Sequence, residues 1–220
     1  MKVINLSEQP SLLNQYLKEM RSMDTQKDSM RFRRNIERIG EIMAVEMSRS
    51  FTYAVEEVQT PLAVAKVEVP QDQIVLGTLL RAGLPMHQGF LNMLDGAENA
   101  FISAYRQETI GKKGETHIAI VSEYLAAPSI EGKTLILVDP MLATGLSMEV
   151  AYKALLSHGT PKHVYLACLF GTPQAIEHLS KTMPQDTTLW CAVIDPELNE
   201  KKYIVPGLGD AGDLCFGGKL

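Results

Sequence analysis

The stretch Thr134–Gly159, TLILVDPMLATGLSMEVAYKALLSHG, constrains this chain more than any other. It opens with an unbroken apolar run, Leu135-Ile136-Leu137-Val138, the pattern of a strand buried on both faces. It closes with Met148, Ala151, Tyr152, Leu155 and Leu156 at helical spacing, stopped by Gly159 in a C-cap position. Between them, Asp139-Pro140-Met141-Leu142-Ala143-Thr144-Gly145-Leu146-Ser147 must turn a strand sharply into a helix. Such a turn leaves backbone N–H groups unpaired at the positive end of the helix dipole, which makes a seat for a phosphate. Thr144 and Ser147 add hydroxyl donors to that seat. Asp139, at the carboxyl end of the strand, is placed to accept hydroxyl protons from a sugar whose phosphate lies in the loop. The stretch reads as a sugar-phosphate site.

The same grammar recurs along the chain. Ile74–Leu80 is a second buried strand, ending in Arg81-Ala82-Gly83-Leu84-Pro85, another turn at a carboxyl edge. Gly83 allows close backbone approach to a ligand, and Arg81 offers a planar fork to a pyrophosphate. On spacing alone, a surface arginine after a tight turn is an equal alternative. Pro85–Leu94 reads as a helix with Phe90, Leu91, Met93 and Leu94 toward the sheet, and its His87 as a structural or solvent-facing residue. Phe101–Arg106 is a strand that again delivers an arginine at its carboxyl end. Gln107–Thr116 is polar, with Lys112 and Lys113 in a solvated turn, and His117–Ser122 returns as a strand. Together they form a hairpin beside the site. Val164–Phe170 and Leu189–Ile194 complete the buried strands, separated by a helix over Pro173–Lys181 that Thr172 caps. Strands alternating with helices from Ile74 to Ile194 predict an α/β fold with a mostly parallel central sheet, in one domain spanning 1–220.

The N-terminal part is less decisive. Leu12, Leu13, Tyr16, Leu17 and Met20 fit a short amphipathic helix, and Phe51–Val69 is strand-rich around a break at Pro61. Phe32, Ile36, Ile39, Met43 and Met47 form a helical stripe within Asp28–Ser50. The arginines and glutamates around that stripe read as a solvated, ion-paired face or as a subunit or effector contact.

A net charge of −5 argues against a general attraction to nucleic acid or anionic membrane, so an anionic substrate must be held by local features. No apolar run reaches the ~18 residues of a membrane span, and Met1–Gln15 lacks a signal-peptide pattern. Cys168, Cys191 and Cys215 have no metal-type spacing and read as buried free thiols in a reducing cytoplasm.

The tail crowds Gly207, Gly209, Gly212, Gly217 and Gly218 around Asp210 and Asp213. It is either a disordered end or a backbone loop that wraps a flat ring and reads its edge. Here a family resemblance bears on the choice. VDPMLATGLS (138–147) resembles the loop that binds 5-phospho-α-D-ribose 1-diphosphate (PRPP) in uracil phosphoribosyltransferases. YIVPGLGDAGDLCF (203–216) resembles that family's uracil-binding tail, and LRAGL (80–84) and Tyr105-Arg106 match further family segments in order.

The resemblance implies the type I phosphoribosyltransferase fold, with a β-hairpin flap and a C-terminal base-binding hood at about 200–220. It implies pyrimidine salvage: uracil and PRPP giving UMP and diphosphate. Asp139 would hold the ribose hydroxyls, and Pro140, Met141, Leu142, Ala143, Thr144, Gly145, Leu146 and Ser147 the 5′-phosphate. Arg81 and Arg106 would take the pyrophosphate with Mg²⁺ carried on PRPP rather than in a protein metal site. Ile204, Gly209, Asp210 and Ala211 would hold uracil, with Asp210 also facing PRPP. Asp139, Arg106 and Asp210 are thus the catalytic candidates. The family further implies a homodimer or homotetramer, a cytoplasmic location and GTP as an effector. Two positions depart from its pattern: Leu146 stands where a second glycine is usual, and a lysine is common near Ala126. The rival readings are a fold-related regulator that binds nucleotide or RNA, which would need a basic face, and a transferase for another base, which would need a different tail.

Overall fold

The computed structural model describes residues 1–110 and 116–218, with side chains described outside 104–123. A short strand β1 (Lys2–Asn5) precedes helices α1 (Leu12–Arg21) and α2 (Ser29–Ser48) and a hairpin of β2 (Tyr53–Gln59) and β3 (Val64–Pro70). Then come β4 (Ile74–Leu79), α3 (Gly83–Met93), β5 (Glu98–Ile110), β6 (Thr116–Ala126), β7 (Thr134–Val138) and the two-residue β8 (Met141–Leu142). The remainder is α4 (Leu146–Leu155), β9 (His163–Gly171), α5 (Pro173–Thr182), β10 (Thr188–Ile194), β11 (Glu197–Leu198), β12 (Ile204–Val205) and α6 (Ala211–Phe216).

The central sheet runs in the order β1-β10-β9-β7-β4-β5-β6, with β8 added against β9. β5 and β6 pair antiparallel, and the other neighbours run parallel. The apolar run of β7 explains the layering. Ile136 and Val138 point into a core with α1, α2 and α3, whereas Leu135 and Leu137 point into a second core with α4 and α5. Alternate residues of one strand thus fill both faces, which a parallel sheet between two helical layers requires.

Local signals set the helix ends. Ser11 and Asn14 form a capping box on α1, Asp28 accepts the Arg31 N–H at the start of α2, and Thr172 caps α5 with Pro173 in its first turn. The parallel α/β expectation therefore matches the architecture.

Several details differ. β1 carries no readable pattern because four residues on a sheet edge draw their order from β10 rather than from local periodicity. α3 begins at Gly83, two residues before Pro85, and Met93 is half-exposed rather than packed on the sheet. Gly83 is buried against Thr78, so its close approach serves the fold. The β5–β6 hairpin strands are longer than the polar stretch predicted. The glycine-rich tail is neither disordered nor wholly loop, because α6 forms within it.

Candidate functional site

A cleft of about 590 Å³ opens beyond the carboxyl ends of β4 and β7. Three segments line it: Leu79–Ala82; Asp139, Met141, Ala143 and Ser147; and the C-terminal pieces 201–204 and 209–212.

The 139–147 loop is held from below. The Asp139 N–H donates to the Ala167 carbonyl, and the Pro140 carbonyl accepts from the N–H groups of Leu169 and Phe170. Leu142 is buried in the core and anchors the loop, while Met141 and Leu142 pair with β9. Gly145 then adopts φ +80, a conformation that side chains disfavour, and lets α4 start at Leu146. The N–H groups of that first turn have no intrahelical acceptor and lie at the positive helix end. Leu146 is already helical, 41% exposed and outside the cleft lining, so its bulk does not crowd the phosphate seat. Thr172 braces the loop from α5: its hydroxyl donates to the Ala143 carbonyl at 2.7 Å and accepts the Ala175 N–H at 3.1 Å.

Asp139 projects from the end of β7 into this cleft. Burial pushes its carboxyl up to about 6, opposed by the Met141 N–H that donates to its Oδ1 at 3.2 Å. Beyond the end of the neighbouring strand β4, Arg81 donates to Asp213 Oδ1 at 2.9 Å and to the Gly217 carbonyl at 3.2 Å. The Leu80–Arg81 peptide is cis.

The tail is tied down by a clamp that sequence reasoning missed. Arg21, at the end of α1, grips Asp195 with both terminal nitrogens at 2.6 and 2.9 Å and also donates to the Gly207 carbonyl at 3.0 Å. Asp195 in turn accepts the Gly207 N–H at 2.9 Å. Arg21 carries no local signal, since its partner lies 174 residues away. Asp195 had one: it follows the β10 run as Asp139 follows β7. Asp210 caps α6 by accepting the Asp213 N–H, while Gly209, Ala211 and Ile204 line the cleft beside it.

Arg81, Asp139, Met141, Ala143, Ser147, Ile204, Gly209, Asp210 and Ala211 are thus brought together in one cleft. Pro140, Leu142, Thr144, Gly145 and Leu146 belong to the loop without lining it. The backbone of Arg106 pairs with Ile120 in the β5–β6 hairpin; its side chain, and Lys112 and Lys113, lie outside the described residues. Lys201 and Lys202 line the cleft and were not anticipated.

Other candidates resolve into structural roles. His87 is buried, bonds Asn99 Oδ1 at 2.8 Å, and burial lowers its pKa, so it favours the neutral form. Cys168 and Cys191 sit 3.2 Å apart in the core, and Cys215 is also buried. Burial pushes the Cys168 thiol well up and that of Cys215 to about 12, which suppresses thiolate. On α2, Arg31 pairs with Glu19, Arg34 with Glu37, and Arg33 donates to the Cys215 carbonyl, so the face carries ion pairs as its charge pattern predicts.

Comparison with known proteins gives a consistent picture. The family model described as uracil phosphoribosyltransferase matches residues 7–218. A uracil phosphoribosyltransferase of Porphyromonas gingivalis is 54% identical over 220 residues, covering all of both chains. One from Pyrobaculum arsenaticum is 36% identical over 199 residues, covering 89% of this chain and 92% of the relative. Among solved structures, the AQ2163 protein of Aquifex aeolicus superposes with a TM-score of 0.83 at 27% identity, covering 98% of each chain.

Proposed function

The chain belongs to the uracil phosphoribosyltransferase family, and on that premise we propose that its carboxyl-edge cleft joins uracil to PRPP, giving UMP and diphosphate. The observation that carries the reading is the meeting, in one cleft, of a helix-start phosphate loop, a carboxylate, an arginine and a backbone-rich tail. The N1–C1′ bond forms as the bond from C1′ to the diphosphate oxygen breaks. Diphosphate leaves with the electron pair, and the uracil N1 proton is released. Charge therefore grows on the leaving group and on the ribose ring, so positioning and electrostatic stabilisation dominate the rate.

In this proposal Asp139 accepts the ribose hydroxyls and the 140–147 loop receives the 5′-phosphate on its N–H groups and Ser147. Arg81 and Arg106 hold the pyrophosphate, which requires Arg81 to exchange Asp213 for substrate oxygens. The backbone at Ile204, Gly209, Asp210 and Ala211 reads the uracil edge, with the Arg21–Asp195 clamp keeping it in place. Mg²⁺ bound to PRPP would offset the leaving charge. Among the described residues, Asp139 and Asp210 are the carboxylates lining the cleft, a donor set suited to an ion that keeps substrate oxygens and water as its main ligands.

We extend the reading to a homodimer or homotetramer. The β2–β3 ribbon exposes Val55 and Val64 on one face, Val58 and Val67 on the other and Leu62 at its turn, apolar surface suited to a second copy. GTP is included as an effector on the family resemblance, and a cytoplasmic location is favoured by three free buried thiols. The test is formation of UMP and diphosphate from uracil, PRPP and Mg²⁺, with and without GTP. Turnover that is lost in Asp139→Asn and Arg106→Ala supports the assignment; variants as active as the parent would overturn it.

A further inference from the structure

Lys202 has φ 63 in the turn between β11 and β12, and no other non-glycine residue among those described has positive φ. Left-handed backbone is disfavoured for any residue with a Cβ, and a glycine would relieve the cost. The turn is nevertheless firmly closed: Asn199 Oδ1 accepts the Tyr203 N–H at 2.9 Å, and the Asn199 carbonyl accepts the Lys202 N–H at 2.9 Å. It holds Lys201 and Lys202 in the cleft wall, alongside Tyr203 and Ile204.

The charge pattern of the cleft gives this strain a use. The described charged side chains lining it are Arg81, Lys201 and Lys202 against Asp139 and Asp210. Arg81 is already committed to Asp213 and Gly217, whereas neither lysine forms an ion pair among the described residues. PRPP carries phosphate groups at both ends, and a protein of net charge −5 gives it no general attraction. Strained residues concentrate where the surrounding fold holds a side chain to a task.

We propose that Lys202 is a PRPP-binding residue whose ammonium engages the substrate's phosphate oxygens, supplementing Arg81 in the same cleft. Lys201 beside it adds to the local field. This rests on the uracil phosphoribosyltransferase reading, because the anion it serves is that enzyme's substrate.

Glycine is an informative replacement, since it fits the backbone better than lysine while removing the charge. In steady-state assays of the full chain, Lys202→Gly should fold with an unchanged or higher Tm. Its KM for PRPP should rise about 3-fold to 10-fold, with the KM for uracil unchanged, as expected for one partly exposed charge contact. Lys202→Met should show the same rise with no relief of backbone strain, and Lys202→Arg should restore the parental KM. Inhibition by inorganic pyrophosphate and by ribose 5-phosphate identifies the phosphate engaged: weakened inhibition by either in Lys202→Gly supports the proposal. Unchanged KM for PRPP with both inhibitors unaffected would overturn it, as would an equal rise for uracil. A parent protein without turnover would instead defeat the functional reading itself.

Discussion

Asp139→Asn separates the role of this carboxylate from its cost to the fold. Its pKa is raised from 3.8 to about 6 by burial, so the folded state binds its proton more tightly than the unfolded chain does. Below pH 3.8 both states are protonated and the group costs nothing. As pH rises from about 4 through 6 the folded chain must ionise a desolvated acid, and stability falls. About two units correspond to about 3 kcal/mol, which solvent in the open cleft reduces to roughly 1–3 kcal/mol. Asparagine keeps an oxygen for the Met141 N–H and removes the charge. The variant should therefore be more stable than the parent at pH 8, with a Tm higher by roughly 2–10 °C. That advantage should shrink as pH falls from 6 toward 4. Activity should move the other way. At pH 5 only about 10% of a group with pKa near 6 is ionised, so the parent should lose about 10-fold in kcat/KM for PRPP between pH 8 and 5. Thermal melts of both proteins across pH 4–8, with PRPP kinetics in parallel, make the test. An Asp139→Asn protein that is no more stable at pH 8, or a stability difference independent of pH, would refute the reasoning.

Three further changes probe the frame of the cleft. Thr172→Val should cost about 1–3 kcal/mol in urea unfolding by leaving the Ala143 carbonyl and the start of α5 without a partner. It should raise KM for PRPP more than KM for uracil, and Thr172→Ser should restore both. Gly145→Ala places a Cβ 3.1 Å from Leu179 and 3.2 Å from the Ala175 carbonyl at φ +80, so a loss of roughly 1–3 kcal/mol with weakened PRPP binding is expected, read by melting and titration. Asp195→Asn breaks a pair whose aspartate is 4% exposed, and should cost roughly 2–4 kcal/mol while raising KM chiefly for uracil, because the clamp holds Gly207 in the tail.

What the sequence disclosed depended on how local the determinant was. The β7–α4 segment was legible because its apolar run and its helical period lie within one stretch, and the same holds for Thr172 as a cap; Gly159, however, closes the 3-10 turn Leu156–His158 rather than α4, which ends at Leu155 and leaves Leu156 exposed. Leu146 stood out as a departure from the family pattern; its place in the first turn of α4, with Gly145 taking the left-handed φ, shows why the loop accommodates it. β1 and the Arg21–Asp195 clamp were not legible, since each is defined by a partner far along the chain. Met93 was misplaced because much of α3 packs on α2 rather than on the sheet, which shifts its buried face toward Met86 and Phe90. Lys202 escaped because nothing in its neighbours announces a left-handed backbone at a lysine.

The most direct measurement is phosphoribosyl transfer to competing acceptors, with uracil, cytosine, hypoxanthine and orotate offered together with PRPP and Mg²⁺ and the nucleotides resolved by chromatography. A cleft whose base side is the 203–213 tail should yield UMP with the other three bases left unused. Comparable turnover of another base, or none with any base from folded protein, would contradict the assignment.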